Sequence, residues 1–174
     1  MIRARLLTYA LTISVGFFLV TGKTVAADGS DASQKIYRLG KLALLQPDSL
    51  IGTRVSAADI VSTTNAIVSI TEQWSSGLDT AHSSNECTIF VALRPKQRIK
   101  TWTSCKTFEA SDLDNRIALE LKPEHIARTK GLVLFAMHGK SSDENAFPDA
   151  WKAQLDGAKE TVVMSDIVDQ IWPE

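Results

Sequence analysis

The only two cysteines of the chain, Cys87 and Cys105, bracket the segment ECTIFVALRPKQRIKTWTSC at residues 86–105. No other feature limits the fold as strongly. CTIFVALR alternates as a strand does, and RIKTWTSC repeats the pattern with Thr and Trp, both favoured in sheets. PKQ lies between them and fits a short hairpin connection. A turn centred on Lys96 places Cys87 opposite Cys105, Ile89 opposite Thr103, Phe90 opposite Trp102 and Leu93 opposite Ile99. One register thus aligns both cysteines and creates an aromatic cross-strand pair of the kind that stabilises ladders.

Whether the cysteines staple this hairpin or do chemistry depends on the compartment. Arg3 and Arg5 precede an apolar stretch, Leu6–Val20, and the small residues of TVAA follow, with cleavage expected after Ala26 or Ala27. This is the layout of a secretory signal peptide over residues 1–27. The stretch is shorter than the roughly 20 apolar residues that usually cross a bilayer. No cysteine sits at the cleavage point to make a lipoprotein. The chain is therefore expected to be periplasmic or secreted, where an isolated cysteine pair forms a structural disulfide. The spacing is unlike the close C-x-x-C pairs of zinc or thioredoxin-type centres. In the chain-entropy model such a staple contributes about 3 kcal/mol.

Removing residues 1–27 takes away Arg3, Arg5 and Lys23 and no acidic residue. That leaves 16 of the 19 Lys+Arg against 20 Asp+Glu, a formal charge of −4. A nucleic-acid binder normally shows a basic face, so no nucleic acid is expected as a partner. Residues 28–174 suffice for a single globular domain with its own core, and they hold no further stretch of membrane-spanning length.

Along that domain, Ile36, Leu39, Leu42 and Leu45 have helical spacing and predict a short helix over 36–46, stopped by Pro47. SAADIVSTTNAIVSITEQW (56–74) is the clearest helix. Ser56 and Asp59 form its capping signature, and Ile60, Ile67, Ile70 or Thr71, and Trp74 fall near one stripe. Residues 75–86 read as a loop. RIALELKP (116–123) alternates Ile117, Leu119 and Leu121 and predicts a strand. A helix capped by Ser111 with Asp114 competes with it, because Ala, Leu, Glu and Lys are helix formers. Pro123–Arg128 reads as a helical turn and GLVLFAMH (131–138) as a buried strand. After a polar loop at 139–145, FPDAWKAQL predicts a short helix ended by Gly157. ETVVM (160–164) predicts a short strand. SDIVDQIW is expected as a helix capped by Ser165, with Ile167, Val168, Ile171 and Trp172 on one face.

Few residues offer chemistry. His82, His125 and His138 are the only histidines, and no two share a metal-ligand spacing. No dinucleotide, phosphate-loop, zincin or calcium-loop pattern is present, and no nucleophile elbow accompanies the many serines. Hence no metal and no cofactor are expected. HSSNE (82–86) and HGKSSDE (138–144) each place a histidine beside serine and acidic residues, which a loop-built hydrolase site could use. The simpler reading makes them solvated loop ends. RPKQRIK (94–100) gathers Arg94, Lys96, Arg98 and Lys100, either as a docking surface for an acidic partner or as a charged tip that keeps a sheet edge soluble.

The order of a helix ending in Trp74, a hairpin, a further helix and a strand over roughly residues 56–139 resembles the C-terminal domains of the TonB and TolA periplasmic proteins. The likeness is one of element order, and no function follows from it.

The fold class expected is therefore α+β, with an antiparallel sheet built on the disulfide-stapled hairpin and packed against at least one helix. The function expected is a non-enzymatic interaction domain binding another envelope or extracellular protein, as an envelope accessory, an inhibitor or an immunity protein. The alternative is a small exported hydrolase using loop residues near His82 and His138. These readings separate on whether those two histidines converge on one pocket with a carboxylate.

Overall fold

A computed structural model describes residues 37–78, 82–143, 147–156 and 163–173. The expected leader, residues 28–36 and most of the ETVVM strand lie outside the described residues; Met164 itself opens a helix.

The hairpin is as the sequence predicts. Strands β2 (Cys87–Arg94) and β3 (Arg98–Cys105) pair antiparallel with Cys87 opposite Cys105, Ile89 opposite Thr103, Phe90 opposite Trp102 and Leu93 opposite Ile99. Pro95 ends β2, and Lys96 and Gln97 turn the chain with φ of 64° and 57°, the left-handed region that few non-glycine residues occupy. Gln97 Nε2 donates to the Pro123 carbonyl at 2.6 Å and ties the turn to the body. The disulfide spans Cα atoms 4.0 Å apart, matching the closer, non-hydrogen-bonded pairs of an antiparallel ladder.

Strand β4 (Val133–Gly139) pairs with the other side of β2, and β1 (Leu39–Leu44) pairs with β4, giving the antiparallel order β1-β4-β2-β3. Segment 36–46 thus contains a strand rather than the expected helix. Leu42 and Leu44 pack on one face of the sheet and Ala43 and Leu45 on the other. A strand covered on both faces is apolar on both, and that run imitates helical spacing. Gly139 has a specific reason to be glycine. A Cβ there would lie 2.5 Å from the Asn85 carbonyl oxygen and 2.9 Å from that of Cys87.

One sheet face is closed by α1 (Asp48–Arg54), α2 (Ala57–Ser75) and α3 (Ser111–Glu120). Ile89, Val91, Leu93, Val133, Phe135 and Met137 meet Ile51, Ile60, Ile67, Ile70, Leu113 and Ile117 there. Helix α2 starts as predicted, with Ser56 Oγ accepting the Asp59 amide at 3.1 Å. Its buried hydroxyl Thr63 Oγ1 donates to the His125 carbonyl and accepts the Ala127 amide, fixing the turn at Pro123–His125. Tyr37 enters the same core, fully buried, and its hydroxyl donates to the Met137 carbonyl at 3.1 Å. Burial pushes the Tyr37 phenol well above its ordinary range.

The strand expected at 116–123 is instead the end of α3 and its exit. Leu113, Ile117 and Leu121 lie four residues apart and are buried, while Leu119 is 86 % exposed. The alternation counted Leu119 as a core residue, which the helix turns outward. The helix does not use the expected Ser111 cap, for Ala110 stands at the N-cap position. Asp114 bonds to Thr103 instead.

The opposite face is closed by α4 (Asp149–Asp156) and α5 (Met164–Ile171). Phe90, Ala92, Leu134 and Ala136 meet Trp151, Met164, Ile167 and Val168 there, with Trp102 and Phe147 at the margin. The Trp151 ring lies 5.0 Å from Phe90, 5.4 Å from Trp102 and 6.5 Å from Phe147. The opposed pair Phe90 and Trp102 is therefore roofed by a third aromatic ring. Helix α5 starts one residue before the expected cap, with Val163 at the N-cap and Ser165 inside the helix.

Candidate functional site

The four basic residues of the hairpin tip do not form one exposed patch. Lys96, Arg98 and Lys100 are exposed, but the Arg94 side chain is only 2 % exposed. Arg94, Arg98 and Lys100 lie on the sheet face that α4 and α5 cover, and the chain's last turn passes over its tip. Arg94 Nη2 contacts Asp169 Oδ1 at 2.5 Å and donates to the Trp172 carbonyl at 2.8 Å. The Arg94 and Arg98 guanidinium carbons sit 5.2 and 5.0 Å from the centre of the Trp172 ring. Arg98 Nη2 also reaches the Pro173 carbonyl at 3.4 Å. The arginines therefore clamp α5 through charge, hydrogen bonding and cation–π attraction, and the exposed charge of the tip resides in Lys96, Arg98 and Lys100. No local signal in RPKQRIK could have shown this, because Asp169 and Trp172 arrive from the far end of the chain.

The histidines fall on opposite sides of the sheet. His138 is buried rather than a solvated loop end, and its Nδ1 lies 3.1 Å from Thr88 Oγ1. By strand alternation it faces the α4–α5 side, like Ala136 and Leu134. The His82 ring packs 4.6 Å from Phe108, which stacks 6.1 Å from Trp74 at the end of α2. Trp74 Nε1 in turn donates to Asp112 Oδ2 at 2.7 Å. This cluster belongs to the helical layer on the other face. The structure thus does not bring His82 and His138 together. Among the described residues there is no group of three His, Cys, Asp or Glu side chains placed to hold a metal ion. The cysteines are joined to each other.

The sheet edges offer more. On β3 the Thr103 amide donates to Asp114 Oδ2 at 2.9 Å, and Thr103 Oγ1 donates to Asp114 Oδ1 at 2.8 Å. An edge amide that points away from β2 is thereby satisfied by α3. On β1 the Leu45 amide donates to the Leu134 carbonyl at 3.1 Å, so Leu45, Ala43 and Lys41 direct their backbone groups at β4. Alternation turns those of Leu42 and Leu44 outward. Among the described residues, β4 is the only strand paired with β1. This edge was missed in the sequence because 36–46 read as a helix.

No helix among the described residues is long and apolar enough to cross a membrane. No family model, curated protein or solved structure matches this chain. The element order α2-β2-β3-α3-β4 that underlies the resemblance to TonB and TolA domains is present, and it remains a likeness of order alone.

Proposed function

We propose that this chain is an exported, non-enzymatic domain that acts by binding another protein of the cell envelope or exterior, as an accessory, inhibitor or immunity protein. One observation carries the reading. The two histidines that a hydrolase site would need lie on opposite faces of the sheet, His138 against Thr88 of the neighbouring strand and His82 against Phe108 in the helical layer. Export is supported by the leader-like N-terminus and by the disulfide, which persists in oxidising compartments. The exposed Lys96, Arg98 and Lys100 at the hairpin tip fit an acidic patch on such a partner.

The test is capture with the tagged full-length chain expressed in a Gram-negative host and recovered from its periplasm. The intact mass of the bait should lack residues 1–26 or 1–27. A partner should co-purify in fixed stoichiometry, and His82→Ala should leave both capture and melting temperature nearly unchanged. Loss of biological effect in His82→Ala with unchanged melting would restore the hydrolase reading.

A further inference from the structure

We infer, resting on the reading of this chain as a protein-binding domain, that the partner docks on the end of the sheet carrying the β2–β3 turn and presents an acidic protein surface there. The hairpin tip is only half of that end. The segment 122–132, which links α3 to β4, crosses beneath the helical layer at the same level. Near its start the Pro123 carbonyl is tied to Gln97 of the turn at 2.6 Å. Its middle is tied to the N-terminal half of α2, where Thr63 Oγ1 bonds the His125 carbonyl and the Ala127 amide. Its end is tied to α1, with the Lys130 amide donating to the Arg54 carbonyl at 2.9 Å and Arg54 Nη1 to the Leu132 carbonyl at 2.6 Å. Val133 then opens β4 opposite Leu93, beside the turn. Lys122, Arg128 and Lys130, all exposed, thus share one end of the molecule with the exposed Lys96, Arg98 and Lys100.

These bases gather on a chain whose formal net charge is −1, so the acids that balance them lie largely elsewhere. Helix α2 adds to the same sign. Its last residue, Ser75, accepts the Tyr37 amide beside the start of β1, at the far end of the sheet, so the positive N-terminal end of its dipole points to the basic end. A charge separation of this kind draws an acidic surface in from a distance and orients it before contact. The kind of anion follows from the acids that remain. Asp48, Asp59 and Glu124 stand exposed at the same end. A lipid bilayer or a uniformly charged polymer would be repelled at each of the three. A folded protein can set its own bases against them while its acids meet the lysines and arginines. The mixed pattern therefore selects register as well as sign.

Binding kinetics on a biosensor carrying the protein that co-purifies with the tagged chain test this. Association of wild type should slow as salt rises, while dissociation changes little. Lys130→Glu, remote from the hairpin in sequence, should slow association several-fold, and Lys122→Glu on the same segment should repeat the effect. Lys130→Glu combined with Lys100→Glu should slow it about tenfold or more. Lys106 and Lys140 are exposed just beyond Cys105 and Gly139, at the opposite end of the sheet. Lys106→Glu with Lys140→Glu should leave association within about twofold of wild type, and all these variants should melt with wild type. Phosphatidylglycerol vesicles should not retain the chain at about 0.15 M salt. If Lys100→Glu slows association and the two variants of segment 122–132 do not, the tip alone docks; the inference then fails and the protein-binding reading stands. It fails in the same way if reversals at the two ends act alike, or if the vesicles retain the chain. If no protein co-purifies, the protein-binding reading falls and the inference with it.

Discussion

The two faces of the sheet are closed by different means. Behind β1, β4, β2 and β3 on one side lies a long helix, α2, with a side-chain cap and an aliphatic stripe, flanked by α1 and α3. On the other side lie α4 and α5, each of eight residues. Helices so short are marginal on their own in water. They are held by an aromatic cluster around Trp151, by the buried Met164, Ile167 and Val168 of α5, and by a clamp around Trp172. The larger aliphatic layer spreads its stabilisation over many interchangeable contacts. The smaller layer concentrates more of it in a few side chains, Trp151 above all, and its integrity should depend more on each of them.

Trp151→Ala is therefore expected to have the largest effect, about 3–5 kcal/mol. Among the described residues the indole N–H of Trp151 finds no partner, so ring burial supplies its contribution. Native-state hydrogen exchange adds the spatial readout. Amides of α5 should lose protection far more than those of α2. If both helices lose protection equally, the two faces are one cooperative unit and the contrast between them fails.

Replacing both cysteines, Cys87→Ser with Cys105→Ser, should cost about 2–4 kcal/mol in urea unfolding. The bridge joins the central strand β2 to the edge strand β3, so both faces should lose protection in proportion. In the native wild type neither sulfur should react with an alkylating reagent before reduction. Selective loosening of one face in the double variant would show that the hairpin belongs to that layer and not to the frame shared by both.

How much of this was legible depended on how local the determining contacts are. The hairpin could be read residue by residue, because its two strands are adjacent and a turn at Lys96 aligns both the cysteines and the Phe90–Trp102 pair. The start of α2 was equally plain, since Ser56 and Asp59 act within one turn. Strand β1 was misread because its partner, β4, is distant in the chain and its apolar residues serve two faces. Helix α3 was misread because Leu119, an exposed residue, completed an alternating pattern. The clamp on Trp172 and the split of the histidines follow from which layer each segment joins, and nothing within RPKQRIK or HSSNE encodes that.

The smallest expected effect probes Tyr37, a titratable group driven deep into the aliphatic face. Tyr37→Phe removes a single hydrogen bond to the Met137 carbonyl. That oxygen also lies within the β4–β2 ladder, where Met137 pairs with Ile89, so the loss at neutral pH should be about 0.5–1.5 kcal/mol. At alkaline pH the sign should reverse. Burial raises the folded-state pKa of Tyr37, whereas in the unfolded chain the phenol ionises near its ordinary value of about 10. The stability that this neutral phenol contributes is complete below about pH 10. Above it the unfolded state gains by ionisation while the folded state stays protonated, so wild type loses about 1.4 kcal/mol per pH unit from this group. The variant has no such group, and every other residue is shared by the two proteins. Their urea stability curves should therefore cross within about one pH unit above 10, the phenylalanine variant becoming the more stable. Parallel curves with a constant offset would mean that the Tyr37 phenol ionises as readily in the fold as out of it, and that this face is not sealed where β1 enters.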